Sequence, residues 1–415
     1  MKQLMPPAGA PRTLAAAQLS NSIGDGMYYT SSALYFTQVV GMSPTRLGLG
    51  LTAAWAVGSL AGVPLGHLAD RRGPRTTAVL LAFATAATVL SFLVIHDFLP
   101  FLLVAGGYAA AQSGLAAARQ ALLAGLVEPA ERTGVLAHMQ STLNAGLAVG
   151  AALGGLALGN GSRAAFVALF ALDALGFLVC GLILLRLPAV GAAHRPAGDE
   201  PRLAVLRDRP YALVTLLNTV LLLRLPLLSL VIPLWIAARS PELTWLASVL
   251  FVLNTLGVML CQVRIARTVT DLGSASRAVR RAGAVLLASC AVFAVSAAHL
   301  PVWATVAVLV AGAALQVIGE MQQSAGGWQI GFDLAPSHRM GQYQGFFGTG
   351  VAVARTLGPL LLTALIVNWG APGWLLLGAL FLGAGCAMGP AVRWAERDRR
   401  APAPDPGAPH RPVRA

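Results

Sequence analysis

Long apolar runs alternate with short polar stretches along the whole chain. Twelve runs are long enough to cross the ~30 Å hydrocarbon core of a bilayer as helices. The runs cover about 13–40, 45–67, 75–95, 98–124, 134–158, 164–187, 211–237, 243–265, 281–299, 301–327, 343–368 and 372–392. The longest internal break, about 188–210, is rich in Pro, Gly and charge, which predicts a flexible linker between six spans and six.

Four segments follow from this pattern. We expect an N-terminal six-helix bundle (1–187), a linker (188–210), a C-terminal six-helix bundle (211–392) and a basic, Pro-rich tail (393–415). The polar stretch 331–345 is interpreted as the loop that enters span 11. The arginines at the start of the tail are expected to favour anionic lipid headgroups.

Composition and charge distribution support a membrane protein. Hydrophobic residues form 56% of the chain and charged residues only 11%, too little charge to cover a soluble surface. Of the 29 Lys and Arg residues, three fall in predicted external loops and three in spans; the rest lie in predicted cytoplasmic segments. This asymmetry predicts that both termini are cytoplasmic and that the net charge of +13 does not serve nucleic-acid binding.

Enzyme-type motifs are not visible in the sequence. Lys2 is the single lysine, which excludes a phosphate-binding loop that needs Gly-Lys-Ser/Thr. The four cysteines fall in apolar runs without metal-ligand spacing, and the histidines show no HExxH-type spacing. We therefore expect a protein that is not an enzyme and that holds no cofactor and no metal.

The most specific motif is the basic turn between spans 2 and 3, Gly66-His67-Leu68-Ala69-Asp70-Arg71-Arg72-Gly73-Pro74-Arg75. Its Gly-x3-Asp-Arg-x-Gly-x-Arg pattern resembles the signature loop of major facilitator superfamily transporters. That resemblance implies two pseudo-symmetric six-helix bundles that rock to give alternating access. It also implies a cytoplasmic latch between the bundles, formed by Gly66, Asp70, Arg71, Gly73 and Arg75.

Physical chemistry supports a latch at this position. Span 11 would enter from the cytoplasm, so the positive end of its helix dipole would face Asp70. Gly66 and Gly73 would permit close backbone approach and a tight turn. The alternative is a solvated basic turn, which explains the arginines but not an aspartate flanked by glycines.

Ionisable residues inside predicted spans are the main functional candidates, because charge in hydrocarbon is costly. In the family that the chain resembles, spans 1, 4, 7 and 10 line the central cavity, and each holds one charge here. These proton-coupling candidates are Asp25, Arg119, Arg224 and Glu320. Asp173 and Arg355 lie on other spans, where we expect structural pairing or a minor polar contact.

Polar residues share a helical face with three of these charges. Span 1 carries its polar residues at i, i+3, i+7 and i+10, and spans 4 and 10 show similar stripes. Arg224 lacks such a stripe, since Asn218 points elsewhere on span 7. The residues predicted to line a substrate cavity are Gln18, Asn21, Tyr28, Tyr108, Gln112, Gln316 and Gln323.

Two roles remain open for the acidic residues. A desolvated carboxylate can bind and release a proton near neutral pH, which would couple Asp25 or Glu320 to substrate movement. A permanent ion pair that fixes helix packing is the alternative. Arg119 matches the arginine of the family's span-4 motif, and since arginine keeps its charge it would tune a neighbouring acid, or pair with Asp25.

Glycines in spans 5 and 11 predict close helix packing. Gly146, Gly150, Gly154 and Gly155 resemble the glycine run of the antiporter branch, with Ala151 in place of its proline. Gly358 and Pro359 in span 11 predict a kink.

The favoured function is proton-coupled efflux of a small amphipathic or apolar compound by a monomer in the cell (inner or plasma) membrane. The partners are then the substrate, protons and the lipid bilayer. A proton-coupled importer of a small solute is the alternative transporter, and a non-transporting receptor or scaffold is the remote one.

Overall fold

The computed structural model describes residues 6–158, 162–191, 203–298 and 300–400. These ranges are helical and contain no β-strand. The α-helices are α1 (Ala10–Leu34), α2 (Pro44–Arg72), α3 (Pro74–Ser91), α4 (Phe98–Leu126), α5 (Pro129–Leu158), α6 (Arg163–Leu185), α7 (Arg209–Leu222), α8 (Ile232–Arg239), α9 (Leu246–Ala266), α10 (Leu272–Val295), α11 (Val302–Asp333), α12 (Met340–Leu362) and α13 (Ala371–Arg400).

Ten helical segments in the described ranges are long and apolar enough to cross a membrane. One of them, Arg209–Arg239, joins α7 and α8 through a π-helical turn at Leu227–Val231, so the two helices form one broken span. The helices α1 and α5 have 25 and 30 residues, which is a spanning length, but they are more polar. Together these segments correspond to the twelve predicted runs.

Proline, serine and aspartate fix the beginnings of many helices. Pro44, Pro74 and Pro129 are first-turn residues, where the missing N–H group costs no hydrogen bond. Asp208 caps α7 by accepting a hydrogen bond from the Tyr211 N–H group at 2.9 Å. Gly73, with φ of 94°, makes the sharp turn between α2 and α3 that a side chain would disfavour.

The helices pack as two groups of six spans. In the N-terminal bundle, α1 packs on α5 and α6, and α4 packs on α2 and α3. In the C-terminal bundle, α10 packs on α11 and α13, and α11 packs on α9. Each bundle has its own apolar core. The bundles meet mainly along α2 against α12 and α5 against α9, which is the pairing expected for two related halves.

Three element boundaries differ from the sequence-based expectation. The stretch 331–345 is mostly helix, because α11 continues to Asp333 and α12 begins at Met340. Buried Gln342 and Gln344 pack in this region, so their polarity did not mark a loop. The tail begins with helix, since α13 continues to Arg400; residues 401–415 lie outside the described ranges.

Part of the predicted flexible linker is packed. Ala204–Arg207 forms a 3-10 turn in which Val205 is fully buried in the core of the C-terminal bundle. The N–H group of Val205 also points at the Gln342 side-chain oxygen at 3.4 Å. The central part of the linker, residues 192–202, lies outside the described ranges.

Candidate functional site

A cavity of about 330 Å³ lies between the two bundles. Its walls come from both halves, from α1, α2, α4 and α5 on one side and α7, α11 and α12 on the other. Charged, amide and aromatic side chains in the wall are Asp25, Tyr29, Trp55, Gln112, Gln120, Asn218, Gln323, Trp328, Phe332, Gln344, Phe347 and Arg355. In the described ranges no group of three or more His, Cys, Asp or Glu side chains is placed to hold a metal ion.

Asp25 is the carboxylate in the cavity wall, and amide side chains hold it. Asn21 donates to Oδ2 at 3.0 Å, one turn away on α1, and Gln112 of α4 donates to Oδ1 at 3.2 Å. Arg119 does not pair with Asp25 directly; it donates to the Asn21 side-chain oxygen at 3.0 Å. Arg119 therefore acts on the carboxylate through Asn21, while Gln112 also donates to the Tyr108 hydroxyl.

A second polar network lies in the C-terminal bundle. Arg224 forms an ion pair with Glu320 at 2.9 Å and donates to the Gln323 side-chain oxygen at 2.8 Å. Asn254 of α9 donates to the other Glu320 oxygen at 2.9 Å. Gln323 in turn donates to Asn218 at 2.8 Å.

The expectation that Asn218 and Arg224 point apart is wrong, because both side chains reach Gln323. Regular helix ends at Leu222, before Arg224, so a constant angle of 100° per residue does not apply between the two. Glu320 and Arg224 lie behind the cavity wall, which Asn218 and Gln323 reach. The network thus supports the wall from behind.

Several residues predicted to line the cavity lie in the bundle interior instead. Gln18 donates to Ser22 within α1. Tyr28 packs in an aromatic cluster, 5.3 Å from the Tyr108 ring and 6.0 Å from the Phe92 ring between centroids. Gln316 is 2% exposed and does not reach the cavity either.

Tyr29 and Arg355 are wall residues that the sequence patterns did not select. Arg355 is exposed to the cavity, its guanidinium lies 5.8 Å from the centre of the Trp55 ring, and it interacts with the Tyr29 phenol. Of the two expected roles of Arg355, structural pairing is not seen, because no acid in the described ranges forms an ion pair with it. Asp173 departs from both expected roles, because this fully buried carboxylate has neither an ion-pair partner nor a hydrogen-bond partner among the described residues.

Asp70 connects the two bundles at the end of the molecule where α2 ends and α12 begins, here called the Asp70 end. Its carboxylate accepts hydrogen bonds from the backbone N–H groups of Gly341 at 2.7 Å and Gln342 at 2.9 Å. Both groups belong to the first turn of α12, where N–H groups lack intrahelical partners and the helix dipole is positive. Asp70 therefore caps a helix of the opposite bundle.

The neighbouring arginines do not take part in this cap. Arg71 is exposed, and Arg75 donates to the carbonyl oxygen of Leu187 at 2.8 Å, at the end of α6 in its own bundle. Their expected place in the latch is therefore corrected: Asp70 makes the contact across the bundles, and Arg75 ties α3 to α6. Gly73 supplies the turn between these elements.

Glycines let α2 and α12 approach closely beside Asp70. A Cβ atom on Gly66 would overlap the Gly341 carbonyl oxygen, and one on Gly62 would lie 3.0 Å from the Gly345 carbonyl oxygen. Any larger residue at Gly66 would push the helices apart and lengthen the hydrogen bonds of Asp70.

Further contacts close the same end. Thr133 of α5 donates to Gln329 of α11, and the Arg132 guanidinium lies 5.7 Å from the Phe332 ring centre. The corresponding turn of the C-terminal bundle behaves differently, since Asp271 caps its own helix α10. The hydrogen bond from the Ser274 backbone N–H lowers the pKa of Asp271.

The glycines of α5 pack against α1. Added Cβ atoms on Gly146, Gly150 and Gly154 would meet Ser22, Ile23 and Thr30, whereas one on Gly155 would meet open space. In α12, a Cβ on Gly358 would meet Pro226 of the broken span at 2.7 Å. Pro359 lies inside α12 and leaves the carbonyl oxygen of the residue four before it without a helical hydrogen bond.

Comparison with solved structures places the fold among transporters. The human organic anion transporter MFSD10 (TETRAN) is 17% identical, with a TM-score of 0.67 over 91% of this chain and 98% of that one. An outward-facing bacterial homologue of the iron transporter ferroportin is 15% identical, with a TM-score of 0.72 over 93% and 99%. The proton:xylose symporter XylE is 12% identical, with a TM-score of 0.65 over 91% and 94%.

Sequence comparison agrees with the fold. No curated protein matches the chain. The family profile named Major Facilitator Superfamily matches residues 14–359, which is most of the chain and extends from α1 of the N-terminal bundle into α12 of the C-terminal bundle. The chain is therefore a multi-pass membrane transporter that belongs to the major facilitator superfamily.

Proposed function

We propose that the protein is a proton-coupled exporter of a small amphipathic or apolar compound, working by alternating access. The observation that carries this proposal is the position of Asp25, a carboxylate in the wall of a cavity that both bundles form. A proton and a substrate that reach the same cavity can exclude one another, which is the requirement for antiport.

Asp25 suits proton exchange better than Glu320 does. Neutral amides of Asn21 and Gln112 hold Asp25, so protonation breaks no ion pair. Protonation of Glu320 would leave the buried Arg224 guanidinium without its counter-charge. We therefore assign proton coupling to Asp25, tuned by Arg119 through Asn21, and a supporting role to Glu320 and Arg224.

The cavity wall favours an amphipathic substrate. Aromatic rings of Trp55, Trp328 and Phe347 offer apolar contact, and amides of Gln112 and Gln323 offer hydrogen bonds. A volume of about 330 Å³ is at the lower end of the range for small-molecule sites.

Alternating access would use the contacts of the Asp70 end as one gate. We place this end, and both termini, on the cytoplasmic side of the cell membrane, because the basic turns lie there. The structure would then represent a state closed to the cytoplasm. Breaking the Asp70 cap would open it, and the α1–α5 glycine contacts would keep the N-terminal bundle rigid during the movement.

A flux experiment tests the proposal. Everted membrane vesicles containing the protein are acidified inside by respiration, and a panel of amphipathic fluorescent compounds is added with and without an uncoupler. Export by proton antiport predicts that a substrate is concentrated inside the vesicles and that the internal pH rises, both abolished by the uncoupler. Absence of any compound-dependent flux would favour the receptor or scaffold alternative and overturn the proposal.

Proton-coupled import is the second candidate, and Arg355 is the observation that favours it. Its guanidinium is unpaired by any described acid and shares the cavity with Asp25. An anionic solute bound there would favour a proton on Asp25, so solute and proton would move together. Binding that tightens as the pH falls indicates this symport, whereas binding that weakens indicates antiport.

A further inference from the structure

A basic groove separates the ends of α10 and α13 on the outer surface of the C-terminal bundle. It has a volume of about 570 Å³ and lies at the Asp70 end, remote from the central cavity. Arg277 and Arg280 of α10 form one rim, and Arg393 of α13 forms the other. Three permanent positive charges therefore face one groove.

Small residues make the groove deep. Gly385, Cys386 and Gly389 of α13 line it where larger side chains would fill the space. The two helices touch just beyond this point, since a Cβ on Gly283 would lie 2.6 Å from the Phe381 carbonyl oxygen and 3.3 Å from Cα of Gly385. The backbones close the groove at its inner end.

The three arginines on the rim of the groove have no ion-pair partner among the described residues. Arg277, Arg280 and Arg393 are exposed, and none forms an ion pair with an acid of the described ranges. Of the nearby acids, Asp271 caps α10. Glu396 also lines the groove and lies 3.9 Å from Arg400, so three arginines face a single acid there. The groove therefore presents a set of free guanidinium donors, which suits a phosphate group.

Apolar surface continues from the groove towards the middle of the spans. Leu375 of α13 is 48% exposed, and it lies 11 and 18 residues before Cys386 and Arg393, so the three residues share one face of the helix. A free phosphate would leave this surface unused, whereas a lipid would cover it with an acyl chain while its phosphate met the arginines. We propose that the groove binds the headgroup of an anionic phospholipid of the adjacent leaflet, with an acyl chain along α13.

This site acts on stability and not on the proton pathway. The lipid would bridge α10 and α13 at their basic ends, where three like charges otherwise repel one another. Lipid binding depends on the surface of the C-terminal bundle and not on Asp25, so it is expected whether the substrate leaves or enters the cell.

Retention and thermal stabilisation by defined lipids test the proposal. The purified full-length protein in detergent is titrated with phosphatidylglycerol, phosphatidylcholine or water-soluble glycerol phosphate, and bound lipid is counted by native mass spectrometry. We expect phosphatidylglycerol to be retained and to raise the unfolding temperature, with little effect of the other two. Equal effects of both phospholipids, or an equal effect of glycerol phosphate, would overturn the lipid assignment.

Matched variants identify the groove. Since each arginine contributes about fivefold to anionic-lipid affinity, R277Q/R280Q/R393Q should weaken retention on the order of 100-fold. R281Q removes an exposed arginine of the same helix that does not line the groove, and it should bind as the wild type does. R393Q alone, expected to lose about fivefold, replaces the triple variant if that does not fold. Equal losses in R281Q and R393Q would refute the site.

Discussion

Asp70 and Gly341 join the two halves of the transporter, with a carboxylate oxygen of one 2.7 Å from the backbone nitrogen of the other. This hydrogen bond joins a side chain of the N-terminal bundle to the first turn of α12, the positive end of a helix of the C-terminal bundle. Because it can form only when α2 and α12 are in contact at this end, it would stabilise one state of the proposed rocking cycle over the other.

Asp70→Ala should shift the molecule towards the state that is open at this end. Loss of two charge-assisted hydrogen bonds is worth about 2–3 kcal/mol, which is a population shift of roughly 30- to 150-fold. The measurement is the distance between spin labels on Arg72 and Thr268, exposed residues of opposite bundles. Asp271→Ala is the control, because this aspartate caps its own helix; an unchanged Asp70→Ala distribution would show that the cap does not hold the gate.

Gly66→Ala should open the same end for a steric reason. The added methyl group would overlap the Gly341 carbonyl oxygen, whereas the methyl group of Gly48→Ala on the same helix would meet open space. We expect the spin-label distance to increase in the first variant and to stay constant in the second. If both variants kept the wild-type spin-label distance, close approach of α2 and α12 at Gly66 would not be required to close this end.

Glu320→Gln should destabilise the fold more than Asp25→Asn does. The first change leaves the buried Arg224 charge without its ion-pair partner, at a cost of about 3 kcal/mol. The second leaves a neutral group among amides and should cost less than about 1 kcal/mol. Thermal unfolding in detergent measures both, and R224Q/E320Q should recover part of the loss; a larger loss in Asp25→Asn would reverse the roles given to the two acids.

The cap of α10 should weaken in acid. Hydrogen bonding lowers the pKa of Asp271 in the folded protein, so its contribution is present above the ordinary carboxyl pKa and is lost as the pH falls through the lowered value. Asp271→Asn, which still caps a helix but does not titrate there, should remove this part of the pH dependence. Amide hydrogen exchange at Ser274 is the readout, and an unchanged acid profile in the variant would exclude Asp271 as its origin.

The sequence predicted those features of the fold that depend on residues close together in the chain. Apolar run length gave the spans, and the turn at 66–75 combined with the direction of span 11 predicted an aspartate facing a helix N-terminus. The partner of Arg75 was not predictable in this way, because the Leu187 carbonyl becomes available only where α6 ends, and that is 112 residues away.

Cavity contacts depend on helix rotation, which periodicity defines only coarsely. Tyr28 and Tyr29 differ by 100° around α1, and the polar stripe selected the first while the cavity contains the second. Structural pairing or a minor polar contact was expected for Arg355 because its span lies outside the cavity-lining set of the family, yet α12 contributes to the wall. The break after Leu222 similarly placed Arg224 beside Gln323.

Asp25→Asn in proteoliposomes is the direct test of proton coupling at Asp25, with a substrate found in the compound panel. Exchange of labelled for unlabelled substrate needs the gates and the cavity but no net proton movement. We expect the variant to keep this exchange and to lose all accumulation driven by an imposed pH gradient. Accumulation at the wild-type level in Asp25→Asn would contradict proton coupling at Asp25.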